Sequence, residues 1–260
     1  PVFGGVIFDN FGMRASFWAT GLGLFFASGM VLAFVREDFH VPTGIKSPLD
    51  PFVNLWRLVG NSQYLPVFLM VMLLHAGVLM ITPALAGLVA TVEGGSVTAT
   101  ATGGVFMSIG IAGAVSSIVM GWLAERMGIR RVFIGAALFA SVFSFGPFFA
   151  QGIMTFTLLV ALVALFQGGL AALLQGLIAI RTPMGQQGAV FGASQVAFSA
   201  GTAMGPLIGG ASVVVFGLRS VFLVNVGLFG VVMVLAILLI GRAGGDVGRG
   251  KVEAESSAEI

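Results

Sequence analysis

The stretch GTAMGPLIGGASVVVFGLRSVF, Gly201 to Phe222, carries a glycine ladder at 201, 205 and 209, a proline between glycines, a Phe216-Gly217 turn, an arginine and a new apolar run. A shift of 205 residues lays the start of the chain on it. Pro1 falls on Pro206, Gly4 on Gly209, Gly5 on Gly210, Phe11 on Phe216, Gly12 on Gly217, Arg14 on Arg219 and Phe17 on Phe222. Seven ungapped matches are more than a glycine-rich composition supplies by chance, and an internal repeat constrains the architecture before any single residue does. The repeated unit is a helix, a tight turn and a second helix.

Working outward, the 260 residues are 58% hydrophobic and only 8% charged. A soluble domain carries roughly 25% charged residues. This chain has too few to cover itself against water, so it reads as an integral membrane protein. A membrane β-barrel would alternate apolar and polar residues in segments of about ten. Here the apolar runs are continuous and about 20 residues long, the length of a bilayer-spanning helix. The fold class expected is therefore all-α. There is no cysteine, which excludes disulfides, thiolate metal sites and cysteine nucleophiles.

Residues 1–8 read as the end of a membrane helix, Asp9 to Arg14 as a polar turn, and Ala15 to Val35 as a full span. Charges and prolines mark 36–63 as a polar linker. Within it Phe52, Leu55, Trp56 and Val59 fit either a short interfacial helix or an irregular loop. Six spans follow near 65–91, 101–123, 131–150, 154–179, 189–215 and 220–241. The expected division is 1–35, the end of one bundle; 36–63, the linker; 64–242, a six-helix bundle; and 243–260, a disordered tail. The chain opens on Pro1 in mid-motif with no leader-like segment, so more helices are expected upstream.

Lys and Arg in the connections orient the spans. Arg36, Lys46, Arg57, Arg126, Arg130, Arg131, Arg181, Arg242, Arg249 and Lys251 fall on one side; Arg14 and Arg219 fall on the other. Ten against two places the linker and the tail in the cytoplasm. It also accounts for the net charge of +2 without a nucleic-acid partner.

This organisation resembles the major facilitator superfamily, whose two six-helix bundles are parallel repeats. The resemblance implies that 1–8 ends helix 5, 15–35 is helix 6 and the six later spans are helices 7 to 12. Gly121-Trp122-Leu123-Ala124-Glu125-Arg126-Met127-Gly128-Ile129-Arg130-Arg131 resembles the superfamily's cytoplasmic loop signature, with Glu125 where aspartate is usual and Ile129 ahead of the arginines. Gly121 is expected to let two helices approach and Gly128 to take a left-handed turn. The charges are expected to pair with each other and with helix ends. In the family this loop holds the cytoplasmic side in one state of a transport cycle. Gly201-x-x-x-Gly205-Pro206-x-x-Gly209-Gly210 resembles the signature of drug/proton antiporters, with Pro1-x-x-Gly4-Gly5 as its other copy. Small residues four apart pack helices backbone to backbone in lipid, and Gly188 and Gly192 are expected to extend the ladder. Pro206 removes a hydrogen bond and allows a bend. The Pro183–Gly192 region leading through Gln195, and the His75–Pro83 helix, are similar to bacterial multidrug efflux permeases.

Polar groups inside spans are expensive and mark functional candidates. They are His75, Gln167, Gln175, Gln195 and Asn225. The resemblance puts helices 7, 8, 10 and 11 around the cavity, which favours His75, Gln175 and Gln195; Gln167 also fits a hydrogen bond between helices. Phe68, Met70, Met72, Phe166, Phe191 and Phe198 are candidates for an adaptable apolar wall. Asp9, Glu93 and Glu125 all lie in turns, so the resemblance implies a coupling acid in helices 1 to 4. His40 and His75 are the only histidines. No metal, cofactor or enzymatic constellation is expected. The function expected is proton-coupled efflux of amphipathic small molecules by alternating access in a bacterial inner membrane. The protein would act as a monomer when full length, with substrate, protons and lipid as partners. The alternatives are a sugar or metabolite exporter, a facilitator, or a non-transporting membrane sensor.

Overall fold

Lipid offers a backbone no hydrogen-bond partners, so long apolar runs satisfy themselves as helices. The computed structural model describes residues 2–34, 64–93, 99–182 and 186–239. Pro1, the linker 36–63 and the tail 243–260 lie outside the described residues. The helices are α1 (Val2–Phe34), α2 (Leu65–Leu79), α3 (Thr82–Glu93), α4 (Ala99–Met127), α5 (Ile129–Phe143), a 3-10 turn (Gly146–Phe149), α6 (Ile153–Arg181), α7 (Gln187–Phe216) and α8 (Ser220–Leu239). Among the described residues seven helical spans of 19 to 31 residues are long and apolar enough to cross a membrane. The chain is a multi-pass, all-α membrane protein. Its principal helix pairs are α4 with α6, α2 with α7 and α5 with α8, while α1 packs on α4.

Two spans differ from expectation. The turn at Asp9–Arg14 shrinks to one residue: α1 is helical on both sides of Gly12, which alone breaks it at φ 79, ψ 175. The repeat-related Gly217 ends α7 with nearly the same angles, φ 88 and ψ 168. Only glycine enters that region readily, because a Cβ would clash with the backbone. The second difference is the 65–91 span, where the helix is interrupted at Met80 and Ile81. Pro83 lies just beyond and has no N–H to return to Leu79.

That interruption frees a carbonyl. The backbone bonds across it run from Met80 N–H to Ala76 O and from Ala84 N–H to Ile81 O. The Gly77 oxygen accepts instead from Asn225 Nδ2 of α8 at 2.7 Å. Asn225 Oδ1 in turn accepts from Ser144 Oγ at 3.0 Å and Gln167 Nε2 at 2.9 Å. One buried asparagine thus joins α2, α6, α8 and the end of α5. The node separates two apolar layers. One includes Leu74, Ala140, Leu170 and Phe229. The other includes Met80, Ala150, Val160 and Phe222.

Arg219 ties the α7–α8 corner to the 3-10 turn, donating from Nη1 to Phe148 O at 2.7 Å and from Nη2 to Ala150 O at 3.0 Å.

Gly217→Ala should cost about 1–3 kcal/mol through backbone strain. Gly210→Ala, whose new Cβ meets nothing within 4 Å, should be neutral or better. Thermal unfolding in detergent compares them. Asn225→Ala should cost about 1–2 kcal/mol, between the cost of an orphaned buried polar group and the smaller hydrogen-bond values typical of bilayers. Equilibrium unfolding in mixed micelles measures it.

Candidate functional site

The glycine ladder is a seam between α7 and α2. A Cβ on Gly205 would lie 2.6 Å from the Ala76 carbonyl oxygen and 3.1 Å from Met80 N. A Cβ on Gly201 would strike the Met72 carbonyl, and one on Gly209 the Met80 carbonyl. Steps of four on one helix match steps of four on the other, so the two run side by side in the same direction. All three glycines are buried. No side chain fits between these backbones without parting them.

Other glycines of the expected motifs lie off this seam. Cβ atoms on Gly4, Gly188, Gly192 and Gly210 would meet nothing within 4 Å. The reason is helical phase. Gly192 stands nine residues before Gly201, about half a turn out of step at 100° per residue. Gly210 is about 100° round from Gly209. Helix α7 runs on through Pro206 without a break. The interruption is in the partner helix, at Met80–Ile81.

A second close seam joins α4 and α6. A Cβ on Gly168 would lie 2.6 Å from Gly113 Cα, and Gly169 N–H donates to Ser116 Oγ at 2.9 Å. The Gly168-Gly169 pair of α6 and the small residues Gly113 and Ser116 of α4 are its sequence signal. Gly121 does not belong to this seam, contrary to expectation, and a Cβ there would find open space. Gly113, Ser116 and Met120 occupy the contacting face, and Gly121 lies one residue off it.

The turn between α4 and α5 depends on Gly128, which takes φ 86 and ψ 138. Two of its arginines bond outside the turn's own charges. Arg126 stacks over the Trp122 ring at 4.0 Å. Arg130 Nη2 donates to Ile237 O near the C-terminal end of α8 at 3.3 Å, where a cation meets the negative end of the helix dipole. Glu125, Arg126 and Arg130 are exposed, as is Arg131.

The polar candidates divide by access. Asn225 and Gln167 are sealed in the bundle at 0% and 5% exposure and bond to each other. Gln167 also reaches the wall of a cavity of about 200 Å³ beside the α2–α3 interruption, otherwise apolar except for Thr82. His75, Gln175 and Gln195 are not sealed: His75 and Gln175 are partly buried and Gln195 is exposed. His75 Nδ1 donates to Val71 O at 2.8 Å, leaving Nε2 as an acceptor in the neutral ring. The imidazole meets the Phe198 ring edge-on at 4.3 Å. Gln195 precedes Phe198 by three residues and so shares its side of α7.

Of the expected apolar wall, Phe68 and Met70 are core residues. Phe166 stacks on Phe143 at 5.3 Å, toward α5. Met72 meets the Gly201 seam through its backbone, and the residue is half-buried. Phe191 remains exposed, and Phe198 is half-buried against the core and His75. Among the described residues no three His, Asp or Glu side chains converge as metal ligands.

Comparison with known proteins agrees with this architecture. The model of the Major Facilitator Superfamily matches residues 94–258. Multidrug resistance protein MdtG of Enterobacter lignolyticus is 28% identical over 226 residues, 86% of this chain and 54% of that protein. The protein of the same name from Rahnella sp. is 27% identical over 226 residues, 86% of this chain and 55% of its own. That of Klebsiella pneumoniae is 27% identical over 228 residues, 87% and 55%. The chain spans about half the length of these curated relatives. With the family match covering most of its helices, this chain belongs to the major facilitator superfamily.

Proposed function

We propose that this chain forms the second half, and the end of the first, of a secondary transporter that exports amphipathic small molecules by proton-coupled alternating access. The observation that carries the proposal is the division of polar groups. Gln167 and Asn225 hold helices together, whereas His75, Gln175 and Gln195 keep hydrogen-bonding capacity on surfaces that are not sealed. Polar groups left open within spans are the ones available to a substrate. The relatives' name, multidrug resistance protein, suggests the cargo class, and the exposed Phe191 with the half-buried Phe198 beside His75 suits an aromatic or amphipathic molecule.

In this proposal residues 1–35 end the first bundle, 64–242 form the second, and the Gly121–Arg131 turn faces the cytoplasm of a bacterial inner membrane. His75 and Gln195 contact substrate from one side of the cavity, and the coupling acid lies in the other bundle. The protein works as a monomer and performs no covalent chemistry. The glycine seam keeps α2 and α7 in register while the bundle rocks, because close backbone contact tolerates no insertion between the helices.

In liposomes, efflux of a fluorescent cationic dye should rise when a proton gradient is imposed and collapse when it is dissipated. Equal rates in both conditions would reject proton antiport and favour the facilitator. Gly205→Leu or Gly209→Leu should abolish transport while membrane insertion persists, whereas Gly210→Leu, off the seam, should retain it. Dye efflux normalised to membrane-extracted protein reads the difference.

A further inference from the structure

We propose that Gly5 and Asp9 of α1 form a latch with the first turn of α4, closing the end of the molecule opposite the Gly121–Arg131 turn. This inference rests on the alternating-access reading, in which α1 and α4 belong to different halves.

The contact has two parts on one face of α1, one helical turn apart. At Gly5 the backbones touch: a Cβ there would lie 2.7 Å from Ala99 O and 3.0 Å from Thr100 Cα. At Asp9 the carboxylate closes over the helix start. Its Oδ1 accepts the Ala99 N–H at 3.1 Å, and its Oδ2 accepts the Thr100 N–H at 2.9 Å and the Thr100 hydroxyl. Ala99 and Thr100 open a 29-residue helix, whose first N–H groups have no acceptor within the helix. The Asp9 carboxylate meets the Ala99 and Thr100 donors and the positive end of the helix dipole together.

Three features make this a device for opening and closing rather than a fixed cap. First, the acid comes from 90 residues away, so it caps α4 only when α1 is docked. Second, the first turn, Ala99 to Thr102, carries no charged side chain, and 94–98 contains none. The attraction therefore runs from the carboxylate to two backbone N–H groups and the Thr100 hydroxyl, all neutral donors. Third, Asp9 is exposed, so its carboxylate returns to water when the helices part. Beyond Gly12 the second leg of α1 is largely exposed along its length, which concentrates the grip on α4 at Gly5 and Asp9. Arg14 stands on that second leg, and Glu93 ends α3 on the far side of the connection.

The chain has no cysteine, so one can be introduced as a reporter. Phe106 of α4 lines the crevice beside Gly5 and Phe8. Cells producing the intact protein with Phe106→Cys are treated with a membrane-impermeant maleimide from outside. Adding Asp9→Ala should raise the initial labelling rate about threefold or more, since labelling follows the open population. Asp9→Asn should be intermediate and Asp9→Glu close to the parent. Thr100→Val should raise labelling slightly alone and add little to Asp9→Ala. If Asp9→Ala fails to reach the membrane, Thr100→Val and Asp9→Asn carry the test. Unchanged labelling in the Asp9 and Thr100 variants that reach the membrane would overturn the latch. If labelling responds to Asp9 while the liposomes show no efflux, the contact stands as a latch and the transport reading falls. If efflux is intact and labelling does not respond, the latch alone falls.

Discussion

Three glycines placed against three carbonyls set the geometry of this bundle. Gly201, Gly205 and Gly209 bring the backbone of α7 directly onto Met72, Ala76 and Met80. In a bilayer the lipid tails are as apolar as the side chains, so helices gain little from hiding apolar surface from one another. What holds them is the number of atoms in contact, and backbone-to-backbone approach maximises it. Once α7 is fixed on α2, the α2–α3 interruption is fixed in depth, since Gly209 rests on the Met80 carbonyl beside it. The position of the interruption then decides which carbonyl is freed, and so where an amide is needed.

Asn225 supplies that amide. Its bonds cross 148, 81 and 58 residues of sequence, to Gly77, Ser144 and Gln167. Nothing local to Asn225 announces this role. A polar residue in an apolar span reads equally well as a substrate contact or as a tie between helices. Only the meeting of four helices separates the two readings. The same meeting leaves Gln195 outside the packed seam, although its chemistry is that of Gln167. The wall residues show the same limit: Phe68 and Phe198 are both phenylalanines on apolar helices, yet one is core and the other lies against His75.

The asymmetry of charge has a physical account as well. The side that carries few Lys and Arg still carries Arg219, and that arginine is occupied, bonded to two carbonyls of the turn between α5 and α6. The crowded side spends its arginines differently. Arg126 lies on Trp122 and Arg130 on the end of α8, a geometry that leaves the turn's charges facing water. Seams made of backbone and neutral side chains suit a molecule whose interior lies within a membrane, where an unpaired charge is costly.

The sequence by itself determined the membrane class, the approximate course of the spans and the two glycine corners. These depend on local properties: apolar length, a missing Cβ, a positive φ that only glycine takes readily. That is why the alignment of Gly12 with Gly217 reappears as nearly identical backbone angles. Tertiary structure alone decided which glycines of the ladder touch, which amides are sealed and where the first helix grips the bundle. Helical phase is 100° per residue, so one position separates the packed Gly209 from the open Gly210. Sealing depends on which distant helices meet, and no stretch of one helix carries that information.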